Sequence, residues 1–209
     1  MTNGQAHRTV HLREAGPGDR DACYDICLRT GDSGGDASGL YADPTLVGSV
    51  YAGPYLTVGP GLGYVAVDGG GVAGYVLGTA DTRAFEAACE SDWWPALRAR
   101  QPDPGPHPLT PDDRMRRLVH RPPTVPDAVV RAHPAHLHID LLPHLQGTGT
   151  GRALMERILA RFAAEGASGV HLGVARANER AVGFYRHLGF TVLTEDDDGL
   201  VLGQRLRRL

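Results

Sequence analysis

The sequence predicts an α/β (α+β) fold, a mixed central β-sheet with helices on both faces, and three observations carry that expectation. From His136 onward, strand-like and helix-like segments follow in the order β-α-β-α-β-β, which calls for a mixed sheet with helices packed on it. Upstream, Asp68-Gly69-Gly70-Gly71 separates two runs of strand formers, a strong hairpin signal. Between these regular regions lies a proline-rich stretch that breaks the rhythm and reads as an insertion at about residues 82–134 of a single domain spanning 1–209.

Val10 to Arg13 is the first expected strand, and Pro17-Gly18-Asp19 opens a helix through Cys23, Ile26, Cys27 and Leu28. A glycine- and aspartate-rich loop runs from Gly31 to Asp43, followed by a short helix near Thr45 to Ala52. Tyr64 to Val67 and Val72 to Leu77 are the hairpin strands. In the insertion, Phe85, Cys89, Trp93, Trp94 and Leu97 mark one helix interrupted at Pro95. Prolines at 102, 104, 106, 108 and 111 then stiffen the chain before a second short helix around Arg114 to Val119. So long a segment inside a compact domain is expected to act as a lid or a wall of a substrate pocket. Downstream, His136 to Leu142 is a strand, and Gly151 to Glu165 is a helix with Leu154, Ile158, Leu159 and Phe162 on one face and Gly166 as its C-cap. Val170 to Val174, a helix from Asn178 to Leu188 stopped by Gly189, Phe190 to Leu193 and Leu200 to Leu202 complete the order.

Composition removes several classes of function. A formal net charge of −3 argues against nucleic acid as the main partner, because phosphate binding normally needs a basic excess. All 21 basic residues are arginine, a pattern read as codon usage rather than function. Hydrophobic residues at 42% and charged residues at 22% are ordinary for a chain that builds its core without staples. Cys23 and Cys27 share a helix face but have no histidine at ligand spacing; with Cys89 they read as reduced, half-buried thiols. Met1 to Gly16 lacks the apolar core of a signal peptide and nowhere do 18 apolar residues run together. A cytoplasmic location and no membrane partner are expected.

The residues that carry chemistry begin at Gln146-Gly147-Thr148-Gly149-Thr150-Gly151-Arg152, between a strand end and a helix start. Glycines let the backbone approach a ligand, and the first N–H groups of a helix bind phosphate oxygens; Arg152 adds a charge to the same anion. A Walker loop is excluded by the absence of lysine. The G-x-G-x-G spacing, its late position and an arginine, Arg176, ending the next strand fit a dinucleotide fingerprint poorly.

Gln146-x-x-Gly149-x-Gly151 resembles the first signature of the GNAT acetyltransferases, and Asn178-x-x-Ala181-x-x-Phe184-Tyr185-x-x-x-Gly189-Phe190 their second. More narrowly, Tyr75 to Trp94, His136 to Pro143 and Val201-Leu202-Gly203 are similar to the C-terminal acetyltransferase-like domain of O-GlcNAcase. The resemblance implies a splayed pair of strands holding acetyl-CoA as co-substrate, with Leu141 and Leu142 supplying backbone groups and residues 147–152 the pyrophosphate site. It also implies a cofactor contact from Asn178 and a proton donor in Tyr185. A phenol with a reference pKa of about 10 is protonated at neutral pH, as that role requires.

On the strand from His136, the residues His136, His138 and Asp140 share one face. Polar side chains are costly on a face that should be covered, unless they pair or line a wet cleft. Asp140 or His138 is therefore expected to take the acceptor's proton, with a structural Asp–His network as the competing explanation. His133, His144, His171 and His187 read as surface residues. The acceptor is expected to be an amine, and Asp81, Trp93, Trp94 and the acidic turn Glu195 to Asp198 would suit a cationic one, with core tryptophans and a solvated turn as the favoured competing explanation. No metal is expected, and the chain should act as a monomer or homodimer. Two rivals remain: a non-catalytic acyl-CoA-binding module, and a metal-dependent hydrolase using the His136/His138/Asp140 string.

Overall fold

The structure, a computed structural model, describes residues 9–207; the first eight residues, part of the stretch read for a signal peptide, lie outside them. Seven strands form one sheet in the order β1-β2-β3-β4-β5-β7-β6. These are β1 (His11–Glu14), β2 (Leu62–Asp68), β3 (Gly71–Thr79), β4 (Ala135–Leu141), β5 (Gly169–Ala175), β6 (Thr191–Glu195) and β7 (Gly199–Arg205). All neighbours are antiparallel except β4 and β5. Helix α8 (Thr150–Ala164) makes the crossover between those two. The mixed sheet and its helices on both faces match the expectation.

Helix α8 covers one face because its apolar residues recur at helical spacing: Leu154, Met155, Ile158 and Phe162 are all fully buried. It ends as expected at Gly166, whose φ of +89° suits only a residue without a side chain. The opposite face is covered by α1 (Arg20–Arg29), α2 (Leu46–Tyr51) and α3 (Gly53–Thr57), the last not anticipated from sequence. Helix α9 (Glu179–His187) follows β5, and the Asn178 side chain caps it by accepting from the Ala181 N–H at 3.1 Å.

The insertion between β3 and β4 is more helical than its prolines suggest. It contains α4 (Thr82–Asp92), α5 (Trp94–Arg98), α6 (Pro111–His120) and α7 (Asp127–Ala132). Proline stands at the first turn of α5 and of α6, where its missing N–H costs nothing, so Pro95 begins a helix rather than interrupting one. Phe85, Cys89, Trp94, Leu97 and Val119 form a second, smaller core. The insertion does not hang free over the sheet. From α6, buried Asp112 accepts from the N–H groups of Ala42 and Asp43, both at 3.0 Å, and Gln101 reaches Asp43. It thereby fixes the loop between α1 and α2. Among the described residues, no helix is long and apolar enough to cross a membrane.

Candidate functional site

β4 and β5 pair at only two positions, Ala135–Val170 and His136–His171. β4 nevertheless stays paired with β3 as far as Leu141, opposite Gly74, and β5 with β7 as far as Ala175, opposite Gly199. Each strand is held on its outer side while the two diverge, so the sheet opens into a cleft running toward Leu141. The Leu142 N–H donates to the Ala73 carbonyl at 2.9 Å. Antiparallel alternation then turns the Leu141 N–H the other way, into the cleft. Of the two leucines expected to offer backbone groups there, Leu141 has its N–H turned toward the cleft and Leu142 has its N–H bonded to β3.

The glycine loop closes the end of this cleft. Gln146 folds back so that its Nε2 donates to the Leu141 carbonyl at 2.8 Å, while the Arg180 guanidinium holds its Oε1. Gly147 and Gly149 have φ of +75° and +90°, which turn the chain sharply into α8. Thr148 donates to the Leu145 carbonyl at 2.7 Å and meets the Thr150 hydroxyl at 2.8 Å, tying the loop to itself. Ala153 takes up the Gly149 carbonyl, and the N–H groups of Gly151 and Arg152 precede the first residue that can bond within the helix. They and the helix dipole favour an anion, and the half-exposed Arg152 side chain stands in the same turn.

The polar face of β4 looks toward α1, α2 and α3, as the alternation predicts. The Tyr75 hydroxyl, on β3 directly opposite Asp140, donates to Asp140 Oδ2 at 2.7 Å and lies 3.1 Å from His138 Nδ1. With the phenol proton committed to the carboxylate, the imidazole Nδ1–H is the donor in the second contact. His138 stacks on Tyr51, with ring centroids 5.4 Å apart, and its Nε2 is 3.6 Å from Asp140 Oδ2. Burial raises the Asp140 carboxyl above the usual range, while His138 and Tyr75 pull it back down. Tyr185, on α9, is buried beside Phe184 and Phe190. Burial first, and the Asp140 charge second, push its phenol upward, so it stays protonated.

His136 belongs to a different environment from its neighbours on the strand. Its Nδ1 is 2.8 Å from Thr82 Oγ1 and its Nε2 2.8 Å from the Tyr55 hydroxyl. Thr82 gives its own proton to the Pro134 carbonyl, so Nδ1–H donates to Thr82 and Nε2 accepts from Tyr55. Both nitrogens are taken, and burial lowers the imidazole to about 3. With both nitrogens hydrogen-bonded, His136 offers no free lone pair to pair with His138 on a metal, which argues against the metal-hydrolase string. His133 and His171, expected at the surface, are buried, and His171 bonds the His133 carbonyl at 2.7 Å. His144 pairs with Asp68 at 2.9 Å.

The residues offered for a cationic acceptor do not gather at this cleft. Asp81 caps α4 by accepting from the Ala84 N–H, Trp94 lies in the second core, and Trp93 donates to the Ser49 carbonyl. In the acidic turn, Glu195 is engaged by Arg176 at 3.0 Å. The residues that do line the polar side, and that sequence reasoning missed, are Tyr51, Tyr75 and Cys27. Tyr75 left one trace, a lone aromatic in a strand of small aliphatic residues. Cys23, Cys27 and Cys89 are free and fully rather than half buried.

Comparison with known proteins agrees with this geometry. The family model for the acetyltransferase (GNAT) domain matches residues 126–192. The crystal structure of SsHAT superposes with a TM-score of 0.88 at 41% identity, covering 95% of this chain and 99% of that one. Protein O-GlcNAcase of Rattus norvegicus is 25% identical over 203 residues; the match takes in 93% of this chain but 22% of that protein, so the chain spans about a fifth of its length. The phosphinothricin acetyltransferase of Sinorhizobium meliloti, solved with acetyl-CoA, shares the fold at 18% identity and a TM-score of 0.53, over 95% of this chain and 89% of that one. The signatures at 146–151 and 178–190, the splayed β4 and β5 and the full-length likeness to SsHAT lead to one assignment: the chain belongs to the GNAT acetyltransferase superfamily.

Proposed function

We propose that the chain is an acetyl-CoA-dependent N-acetyltransferase that passes the acetyl group directly to an amine. The observation that carries this reading is the separation of β4 from β5 beyond His136, with the glycine loop at one end and a half-buried carboxylate alongside. Acetyl-CoA supplies an activated acetyl thioester when bound. Leu141 directs its N–H into the cleft, where it polarises a carbonyl, and the N–H groups of residues 147–152 with Arg152 hold a pyrophosphate. Asn178 caps α9 and keeps its amide beside Gly34, where it contacts the same ligand.

Asp140, with its carboxyl raised by burial, takes the proton of the incoming ammonium, directly or through His138. Tyr75 holds both side chains in place. Tyr185 returns a proton to the departing thiolate; burial keeps its phenol protonated until then.

A thiol-release assay across a panel of primary amines, run beside calorimetry with acetyl-CoA, tests the reading. Tyr185→Phe keeps the ring and its packing, so acetyl-CoA affinity should hold while turnover falls about 10²- to 10⁴-fold, the usual contribution of a positioned acid. A variant that keeps the wild-type rate with chemistry limiting would reduce Tyr185 to core packing. Acetyl-CoA binding without turnover on any amine would leave a binding module instead of an enzyme.

A further inference from the structure

We infer that Cys27, His138 and Asp140 form a binding site for one soft divalent cation such as Zn²⁺, on the acceptor side of the cleft and separate from the glycine loop. One donor atom from each of the three residues lies within 4.8 Å of the others. The set combines a thiol, an imidazole and a carboxylate, the ligand types that zinc takes in four-coordinate sites. The spacing of the two donors fits a shared metal ion. His138 Nε2 and Asp140 Oδ2 face each other at 3.6 Å, too far for a hydrogen bond. Two tetrahedral ligands about 2.0–2.1 Å from a common zinc stand at nearly that separation.

Tyr75 supplies the outer layer such a site needs. It accepts from His138 Nδ1–H, which leaves the Nε2 lone pair free, and it donates to Asp140 Oδ2, which fixes the carboxylate. Tyr51, stacked on His138, holds the ring from the other side. Cys27 is buried on α1, whereas His138 and Asp140 keep 29% and 20% of their side-chain surface open. A cation can therefore enter from the cleft, keep water at its fourth position, and bind as Cys27 gives its thiol proton to the buffer. His136 takes no part, because both of its nitrogens are bonded.

The site is tested by titrating the reduced full chain with Co²⁺ and then displacing the cobalt with Zn²⁺. The expected result is one equivalent bound, with a thiolate-to-cobalt charge-transfer band and the intense visible bands of four-coordinate cobalt, bleached by zinc. Cys27→Ser should abolish the charge-transfer band. His138→Ala, at a partly exposed position, should weaken binding at least tenfold, with thermal unfolding checking that the fold persists. A six-coordinate spectrum without charge transfer, a band that survives Cys27→Ser, or undiminished affinity in His138→Ala would each overturn the proposal. Bound zinc would occupy the lone pairs of His138 and Asp140 that the transfer reading uses to take a proton, so the cation would oppose transfer rather than assist it. The readout needs no turnover, so failure here leaves the acetyl-transfer reading standing.

Discussion

The two walls of the cleft are built on different principles. The wall formed by the glycine loop, α8 and the start of α9 is a backbone structure: its working groups are N–H donors, and it needs glycines at two positive-φ positions and a helix that begins on time. The opposite wall is a side-chain structure assembled from α1, α2, β3 and β4, with Cys27, Tyr51, Tyr75, His138 and Asp140 drawn from segments far apart in the chain. A backbone site is encoded within a few consecutive residues. A side-chain site exists only once the sheet register and the helix packing have brought its members together.

Substitution at Gly149 tests the backbone wall and should have the largest effect on cofactor affinity. A Cβ there meets no protein atom within 4 Å, yet φ is +90°. Gly149→Val is therefore opposed by backbone strain of about 1–2 kcal/mol and by the approach of a ligand, not by a clash within the protein. Acetyl-CoA affinity measured by calorimetry should fall at least about tenfold, while thermal unfolding shows that the fold persists. Unchanged affinity would mean that the loop is only a turn.

The part of β4 that lies next to the side-chain wall, at His136, can be probed through pH. His136 titrates at about 3 in the folded chain against about 6.5 when unfolded. The unfolded state thus binds the extra proton first, and the stability due to a neutral His136 is complete above the unfolded value and is lost as pH falls toward 3. At about 1.4 kcal/mol per unit, the loss between pH 7 and pH 5 is about 2 kcal/mol. Denaturant unfolding at the two pH values should show it, and His136→Gln should flatten the dependence. An identical slope in that variant would move the effect to the other buried histidines, His133 and His171, which are lowered by burial as well.

The insertion touches the side-chain wall through the loop it restrains and through α2, where Trp93 donates to the Ser49 carbonyl. Asp112→Ala strips the N–H groups of Ala42 and Asp43 of their shared acceptor. Destabilisation of about 1–3 kcal/mol is expected. Once an acceptor is known, KM for it should rise while acetyl-CoA affinity stays put. A change in acetyl-CoA affinity instead would show that the two walls are coupled.

Much of the fold was legible because its signals are local. The alternation of β4, the 3.6-residue stripe of α8, the hairpin at 68–71 and the glycines closing α8 and α9 each depend on neighbours in the chain. Helices α3 and α7 were not legible, being short and set among prolines and glycines; packing, not propensity, decides such segments. Trp93 and Trp94 show the same limit from the other side: their chemistry suited a cation or a core, and packing in a second core, with Trp94 buried and Trp93 partly so, decided between them.

By itself, then, the sequence determined the order of the elements, the glycine loop and its helix, and the shared face of His136, His138 and Asp140, because strand and helix periodicity act over a few residues. Only the tertiary structure decided what each polar side chain meets. It placed Tyr75 opposite Asp140 through the β3–β4 register, and Thr82 and Tyr55 around His136. It also brought Cys27 from α1 to within 4.8 Å of His138 and Asp140, although along the chain the cysteine had no histidine near it. The physical reason is that a buried polar group takes its protonation and its role from the partners that replace water, and those partners come from whichever elements the core packs against it.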